Sequence, residues 1–228
     1  MARTEFDREI QEIRSKLLEL VDMVGQSMLH ALDALRDNDL VFSKTIIAQD
    51  SLVNRKRFEL EEFILVVIAT QQPAARDLRI LASSLDLCTE LERMGDYAKG
   101  LASINLQSGG LSMPKVLTDL HFMGEKVVDM LSRAMAAYMQ EDTISAGTIA
   151  REDDLIDALY KQIYFEAMDL VIEDARNVDR INFVLWAAHN IERFADRVTN
   201  ICERTLFIAT GELQELHVRE HDFPRAAS

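Results

Sequence analysis

The chain has few of the residues that interrupt a helix. Its 228 residues include three prolines and eight glycines, and alternating strand patterns are absent, which argues against a sheet-based fold. Cysteine is scarce as well. Cys88 and Cys202 belong to no CxxC pair; both fall inside apolar helical patterns and read as buried, reduced thiols. Long hydrophobic runs are missing: "FILVVIAT", residues 63–70, is the longest, far short of the roughly 20 residues that span a bilayer. The N-terminus, "MARTEFDREIQEIRSK", is charged from its start and shows no apolar core of a secretory signal, so a cytoplasmic location is expected. Basic residues are outnumbered, 25 Lys and Arg against 39 Asp and Glu, for a formal net charge of −14. Such a surface repels nucleic acid and anionic membrane, and neither is expected as a direct partner. It suits a cation or a basic protein surface instead. No P-loop, no Gly-rich phosphate cradle and no nucleophile–base pair can be placed, so the chain does not read as an enzyme.

What is present is helix. Hydrophobic residues make up 48% of the chain, enough for a globular core, and they recur at 3–4 spacing. The spacing predicts an all-α fold of six long helices. The first runs to about residue 35, with Thr4 and Asp7 placed as a capping box. The second spans about 39–70, and Pro73 suits the first turn of the third, which ends near 106. "QSGGLSMPK" at 107–115 carries the Gly-Gly pair and a proline at the next helix start. Helices follow at about 115–140, 143–172 and from "EDARNVDR" to 210, where Gly211 is placed as a C-terminal cap. The plan is three helices, a linker and three helices again. The letters repeat too: "TIIAQDSLVN" (45–54) matches "GTIAREDDLID" (147–157), and "ELERMGDYAKGLA" (90–102) matches "NIERFADRVTNIC" (190–202). Two tandem three-helix bundles are expected, packed end to end or side by side, with a first repeat at 1–107, a linker at 108–114, a second repeat at 115–210 and a tail at 211–228.

The repeated segments carry acids at i, i+4 spacing, on one helical face. Asp50 with Asp96, and Asn54 with Glu92, stand symmetrically about Pro73. Asp153 with Asp196, and Asp157 with Glu192, stand symmetrically about the turn "EDAR". In an antiparallel hairpin such pairs lie level. Each repeat is therefore expected to bring an acid pair on one helix beside an E-x-x-x-D pair on the next, and Glu203 extends the second group. Levelled carboxylates repel one another, so something should compensate. A cation would, since carboxylates suit Mg²⁺, Ca²⁺, Mn²⁺, iron or Zn²⁺. Arg93 and Arg193 are the internal alternatives, and a solvated acidic face is the plain one. The stripe Leu78, Leu81, Leu85, Thr89, Glu92, Asp96, and its counterpart from Ile181 to Asp196, run from apolar residues into acids. That favours acids facing a groove.

"QQPAARDLRI", "ELERMGDYA", "DDLIDALY" and "NIERFADRVTNICERTLF" closely resemble the PhoU family, accessory regulators of bacterial high-affinity phosphate uptake, over nearly the whole chain. The resemblance implies a cytoplasmic, often dimeric protein. It acts with the ATPase subunit of the phosphate ABC transporter and with the phosphate-sensing histidine kinase, restraining both when phosphate is plentiful. Association with the membrane would be indirect, through those partners. The resemblance also implies metal, iron or zinc, at Asp50, Glu92 and Asp96 and at Asp153, Asp157, Glu192 and Asp196. Asn54 departs from a full D-x-x-x-D, and a neutral amide is the weaker ligand. Arg79 and Arg93 receive no assigned role.

Three other readings are weighed. A di-iron enzyme of the ferritin type needs Glu-x-x-His on two helices, and none of His30, His121, His189, His217 or His221 has a Glu three residues earlier. A histidine phosphotransfer role rests only on His189 in "AAHNIERF", which reads more simply as a packed or solvated helix residue. The third is a metal-free helical adaptor whose acidic faces dock basic partner surfaces. Chelation separates it from the metal reading, because a bound ion stabilises the native state.

Overall fold

A computed structural model describes residues 2–216, and among these every regular element is a helix. The order is α1 (Ala2–Arg36), α2 (Leu40–Gln71), α3 (Arg76–Ser108), α4 (Pro114–Gln140), α5 (Thr143–Ala150), α6 (Asp153–Glu173), a 3₁₀ turn at Ala175–Asn177, and α7 (Val178–Thr210). The outer tail, 217–228, and with it His217 and His221, lies outside the described residues.

Periodicity decides each buried face. Along α1, Phe6, Ile10, Ile13, Leu17, Leu20, Val24, Met28, Ala31 and Leu35 step by threes and fours and are all buried. Along α4, Leu120, Met123, Val127, Leu131, Ala134 and Tyr138 do the same. Ends are set by caps. Asp39 accepts a hydrogen bond from the Phe42 N–H (2.8 Å), and Asp142 accepts from the Ile144 and Ser145 N–H groups (both 3.1 Å). Gly109 (φ +66°) and Gly211 (φ +82°) end α3 and α7 in the left-handed region, which glycine enters without a Cβ penalty. Pro114 opens α4.

Three local expectations are corrected. Helix α1 already begins at Ala2, so Thr4 lies inside it and Thr4 and Asp7 do not form its cap. Pro73 lies in the connection between Gln72 and Ala75 rather than in the first turn of α3, because Gln72 takes a left-handed conformation (φ +47°) and closes α2 onto the Ile68 carbonyl. The helix expected over 143–172 is two helices. At the break, the Glu152 N–H bonds to Ile149 O (2.9 Å) and the Leu155 N–H to Glu152 O (3.0 Å), both one residue shorter than the α-helical reach. Arg133 of α4 grips Glu152 with two hydrogen bonds, 2.7 and 2.6 Å, and pins the turn.

The two repeats pack side by side. Helices α1, α3, α7 and α4 form a central ring in which each touches the next. Helix α2 lies outside on α1 and α3, and α5 and α6 lie outside on α4 and α7. Within the ring α3 and α7 run antiparallel: Asp86 faces Arg204, Glu90 faces Asn200 and Arg197, Tyr97 faces Arg193, and Gly100 faces Asn190. Helices α1 and α4 also run antiparallel, with Asp33 on His121 and Leu32 on Gly124 at one end and Arg14 on Glu141 at the other. The Ser84 and Tyr138 hydroxyls share a hydrogen bond at 3.1 Å in the buried centre. One core therefore serves both repeats.

Candidate functional site

The two acid clusters sit on the outer edges of the ring, one between α2 and α3 and the other between α6 and α7. In the first, Asp50 lies in the middle of α2 with its side chain 9% exposed. Its Oδ2 accepts hydrogen bonds from the Lys99 Nζ of α3 at 2.8 Å and from the Asn54 Nδ2 at 3.2 Å. Lys99 also reaches Asp96 Oδ1 at 3.7 Å. The hydrogen bond to Asp50 holds the ammonium above its usual pKa. Burial pushes the Glu92 carboxyl up, with the Asp96 and Asp50 charges adding to the shift and Arg57 and Arg93 opposing it. The hairpin thus brings Asp50, Glu92 and Asp96 into one electrostatic group. Its central cation is a lysine that the acid spacing did not single out. The signal was there: Lys99 follows Asp96 by three residues and shares its helical face.

The second cluster is built differently. Asp153 is 1% exposed and opens α6, where the positive end of the helix dipole favours a carboxylate. Glu192 is 8% exposed on α7, with His189 Nδ1 3.5 Å from its Oε2. Asp196 lies 3.6 Å from Arg193 Nε, and the Arg193 guanidinium stands over the Tyr97 ring of the first repeat at 6.0 Å. Burial raises the Tyr160 hydroxyl pKa, with the Glu192 charge second. Asp157 is half-buried. Glu203 stands apart, roughly 16 Å along the α7 axis from Glu192 at 1.5 Å per residue. There it accepts the Leu216 N–H (2.9 Å) and ties down the segment after α7. Burial raises its carboxyl pKa. The position that Lys99 fills in the first repeat holds Thr199 here.

Arg79 and Arg93 separate. Arg79 donates two hydrogen bonds to the Ile208 carbonyl, 3.0 and 3.2 Å, and so satisfies the C-terminal end of α7. Arg93 is exposed and acts on Glu92 through its charge. Burial pushes the Cys88 and Cys202 thiols up to about 12, which makes them poor nucleophiles and ligands.

Among the described residues, no group of three or more His, Cys, Asp or Glu side chains is arranged to hold a metal ion. At the first cluster the lysine ammonium stands where a cation would, so the residues there do not fit a metal. At the second cluster, the carboxylates that α6 and α7 carry match a hard or borderline cation in donor type, though not in their present spacing.

Comparison with known proteins agrees with this duplicated architecture. The PhoU domain matches twice, at residues 17–104 and 120–205. The PhoU homolog of Clostridium acetobutylicum, a phosphate-specific transport system accessory protein, is 30% identical over 95% of this chain and 100% of its own. Its counterpart in Streptococcus pneumoniae strain TIGR4 is 32% identical over 94% of this chain and all of its own. PhoU of Escherichia coli K12 is 30% identical over 91% of this chain and 86% of its own. The crystal structure of PhoU from Pseudomonas aeruginosa superposes with a TM-score of 0.84 at 29% identity, covering 91% of this chain and 100% of that one. That of the phosphate transport system regulatory protein PhoU from Streptococcus pneumoniae gives 0.83 at 31% identity, over 92% and 99%. With both repeats matched and relatives aligned end to end, the chain belongs to the PhoU family.

Proposed function

We propose that the chain is a non-enzymatic, cytoplasmic regulator of phosphate uptake. It links a phosphate ABC transporter to a phosphate-sensing histidine kinase and lowers the phosphate-starvation response. The observation that carries this reading is the near full-length similarity, in both repeats, to proteins named as accessory to phosphate-specific transport. The shape supports it: a helical ring with further helices packed on its outside offers docking surfaces, and among the described residues no helix is long and apolar enough to cross a membrane. The test replaces the chromosomal gene with a deletion and reads a phosphate-starvation reporter in phosphate-replete cells. The reporter is expected to rise in the deletion strain and to return to baseline when the gene is restored. A reporter that stays at baseline in the deletion strain overturns the reading.

A metal ion belongs to the same proposal at the second cluster, held by Asp153, Asp157, Glu192 and Asp196. When bound it would neutralise those acids and staple α6 to α7. Elemental analysis of untagged protein, beside the Glu192→Ala/Asp196→Ala variant, checks this part. Metal in the native protein and none in the variant supports it. None in either overturns it and leaves the acids to a basic partner surface or to solvent.

A further inference from the structure

The outward face of α6 carries a stripe that the core does not use. Leu155, Ala158, Gln162, Phe165, Asp169 and Ile172 recur at alternating steps of three and four, and all six are exposed. Leu155 is 50% exposed, Phe165 66% and Ile172 82%. Ala158, Phe165 and Ile172 are one heptad apart, and Tyr164 stacks edge-on against Phe165 at 5.7 Å. A 3–4 apolar stripe is the pattern by which one helix packs along another. Here it faces solvent.

The first repeat differs in the middle of this face. Aligning Asp50 with Asp153 puts Arg55, Glu59 and Glu62 where α6 has Ala158, Gln162 and Phe165. The other three positions correspond to Leu52, Val66 and Ala69, so this outer face is charged at three of six positions in α2 and at Asp169 alone in α6. Helix α2 also exposes Val41, Leu52, Phe58, Leu65 and Val66, and the Arg57 guanidinium lies over the Phe58 ring at 4.7 Å.

Charge decides the occupant. Asp154, Glu166, Asp169 and Glu173 line or interrupt the stripe, and Lys161 is the single base in α6. A second copy of the chain would set acid against acid, and an anionic lipid surface would be repelled. Beside the C-terminal end of the stripe lies a cavity of 430 Å³ lined by the apolar Met113, Pro114, Val116 and Leu170, by Glu166 and Asp169 and by the bases Lys115 and Arg180, with Lys115 pairing with Glu166 at 2.8 Å. It can receive an anchoring side chain. We infer that the outer face of α6 is a docking site for an amphipathic helix of a partner protein, apolar at 3–4 spacing and flanked by Lys or Arg. This rests on the reading of the protein as an adaptor.

The test is made in vitro on the full chain, so its outcome is separate from that of the reporter experiment. The probe is a labelled amphipathic 21-residue peptide, about three heptads, with Leu on the seam and Lys flanking it, beside a twin with Glu in place of Lys. Fluorescence anisotropy at physiological salt is expected to show saturable binding of the Lys peptide and none of the Glu peptide. Phe165→Ser/Ile172→Ser should weaken binding about tenfold or more, ~1.4 kcal/mol per decade, and Phe58→Ser on α2 should leave it unchanged. Both α6 side chains are mostly exposed, so the variant should keep the native circular dichroism; Ile172→Glu alone is the fallback, with the same expected direction. The inference is overturned by any of four results: no binding of the Lys peptide, equal binding of the Glu peptide, binding unaltered by the α6 variants, or capture of either anionic vesicles or a second copy of the chain by this face.

Discussion

Equivalent acids in the two repeats are neutralised by different means. Asp50 sits mid-helix, where the backbone offers it no free N–H, and Lys99 supplies the positive charge at 2.8 Å. Asp153 sits at a helix start and has the α6 N-terminus instead. The Lys99 position in the second repeat can therefore hold Thr199, whose hydroxyl bonds back to the Asp196 carbonyl at 2.7 Å. Removing the ammonium should expose the difference. Lys99→Met leaves a carboxylate that is 9% exposed without its main cation. A fully buried pair broken on one side costs 3–5 kcal/mol, but Lys99 is 39% exposed and water reaches it. The expected loss is ~1–2 kcal/mol, or a fall in Tm of roughly 3–6 °C for a chain of this size. Adding Asp50→Asn should return most of it, because the pair acts as a unit. Thermal melts of the four proteins of that cycle, run in chelator, settle the point. A Lys99→Met melt that matches the native one would mean the pair contributes nothing.

At the scale of elements, the same contrast explains why the sequence disclosed six helix positions but not the break in the fifth. Caps and periodicity are local signals: Pro114 and Gly211 act where they were expected, and Asp39, Asp142 and Gly109 end helices by the same local chemistry. The break before Asp153 carries no proline or glycine. It is set by Arg133, nineteen residues away on another helix, closing on Glu152. Lys99 escaped notice for a related reason. Counting acids identified the faces that meet, but not which long side chain would fill the gap between them. The hydrogen bonds from Arg133 hold the Glu152 carboxyl below its ordinary 4.5. A depressed carboxyl contributes stability above its unfolded pKa and loses it as pH falls through the folded value. Glu152→Gln is therefore expected to cost ~1 kcal/mol at pH 7, the modest size reflecting a partly exposed pair, and roughly 2–4 °C in Tm. The gap from the native protein should begin to narrow as pH drops below the ordinary 4.5 and close once pH has fallen through the lower folded value. Melts at pH 7 and pH 4 check it. A gap that persists unchanged in acid would mean the substitution acts through packing and not through the charge.

For the whole molecule, the ring packs the two repeats around one shared core, which predicts a single cooperative body. The acid clusters lie on its outer edges, and Arg193 joins them by pairing with Asp196 while standing over Tyr97, the neighbour of Asp96. Such coupling requires that the repeats do not move independently, and Gly124 tests that. It lies in α4 of the second repeat, and a Cβ there would collide with Leu32 Cδ1 of α1 in the first. Leu32 is 2% exposed, so it can yield only by repacking inside the core. In an open helix Gly→Ala gains about 1 kcal/mol from backbone entropy. At Gly124 overpacking should reverse the sign, for a net loss of ~1–3 kcal/mol. Gly147 in α5 is the control, since nothing stands within 4 Å of its added Cβ. Gly147→Ala should raise the melting temperature by up to ~4 °C. Calorimetry then separates two pictures. A ring with a shared core melts Gly124→Ala in one lowered transition, because neither repeat keeps its structure once the α1–α4 seam is forced. Two autonomous bundles would instead show an unshifted main transition with an early shoulder, and the ring would not be the unit that carries a signal from one acid cluster to the other.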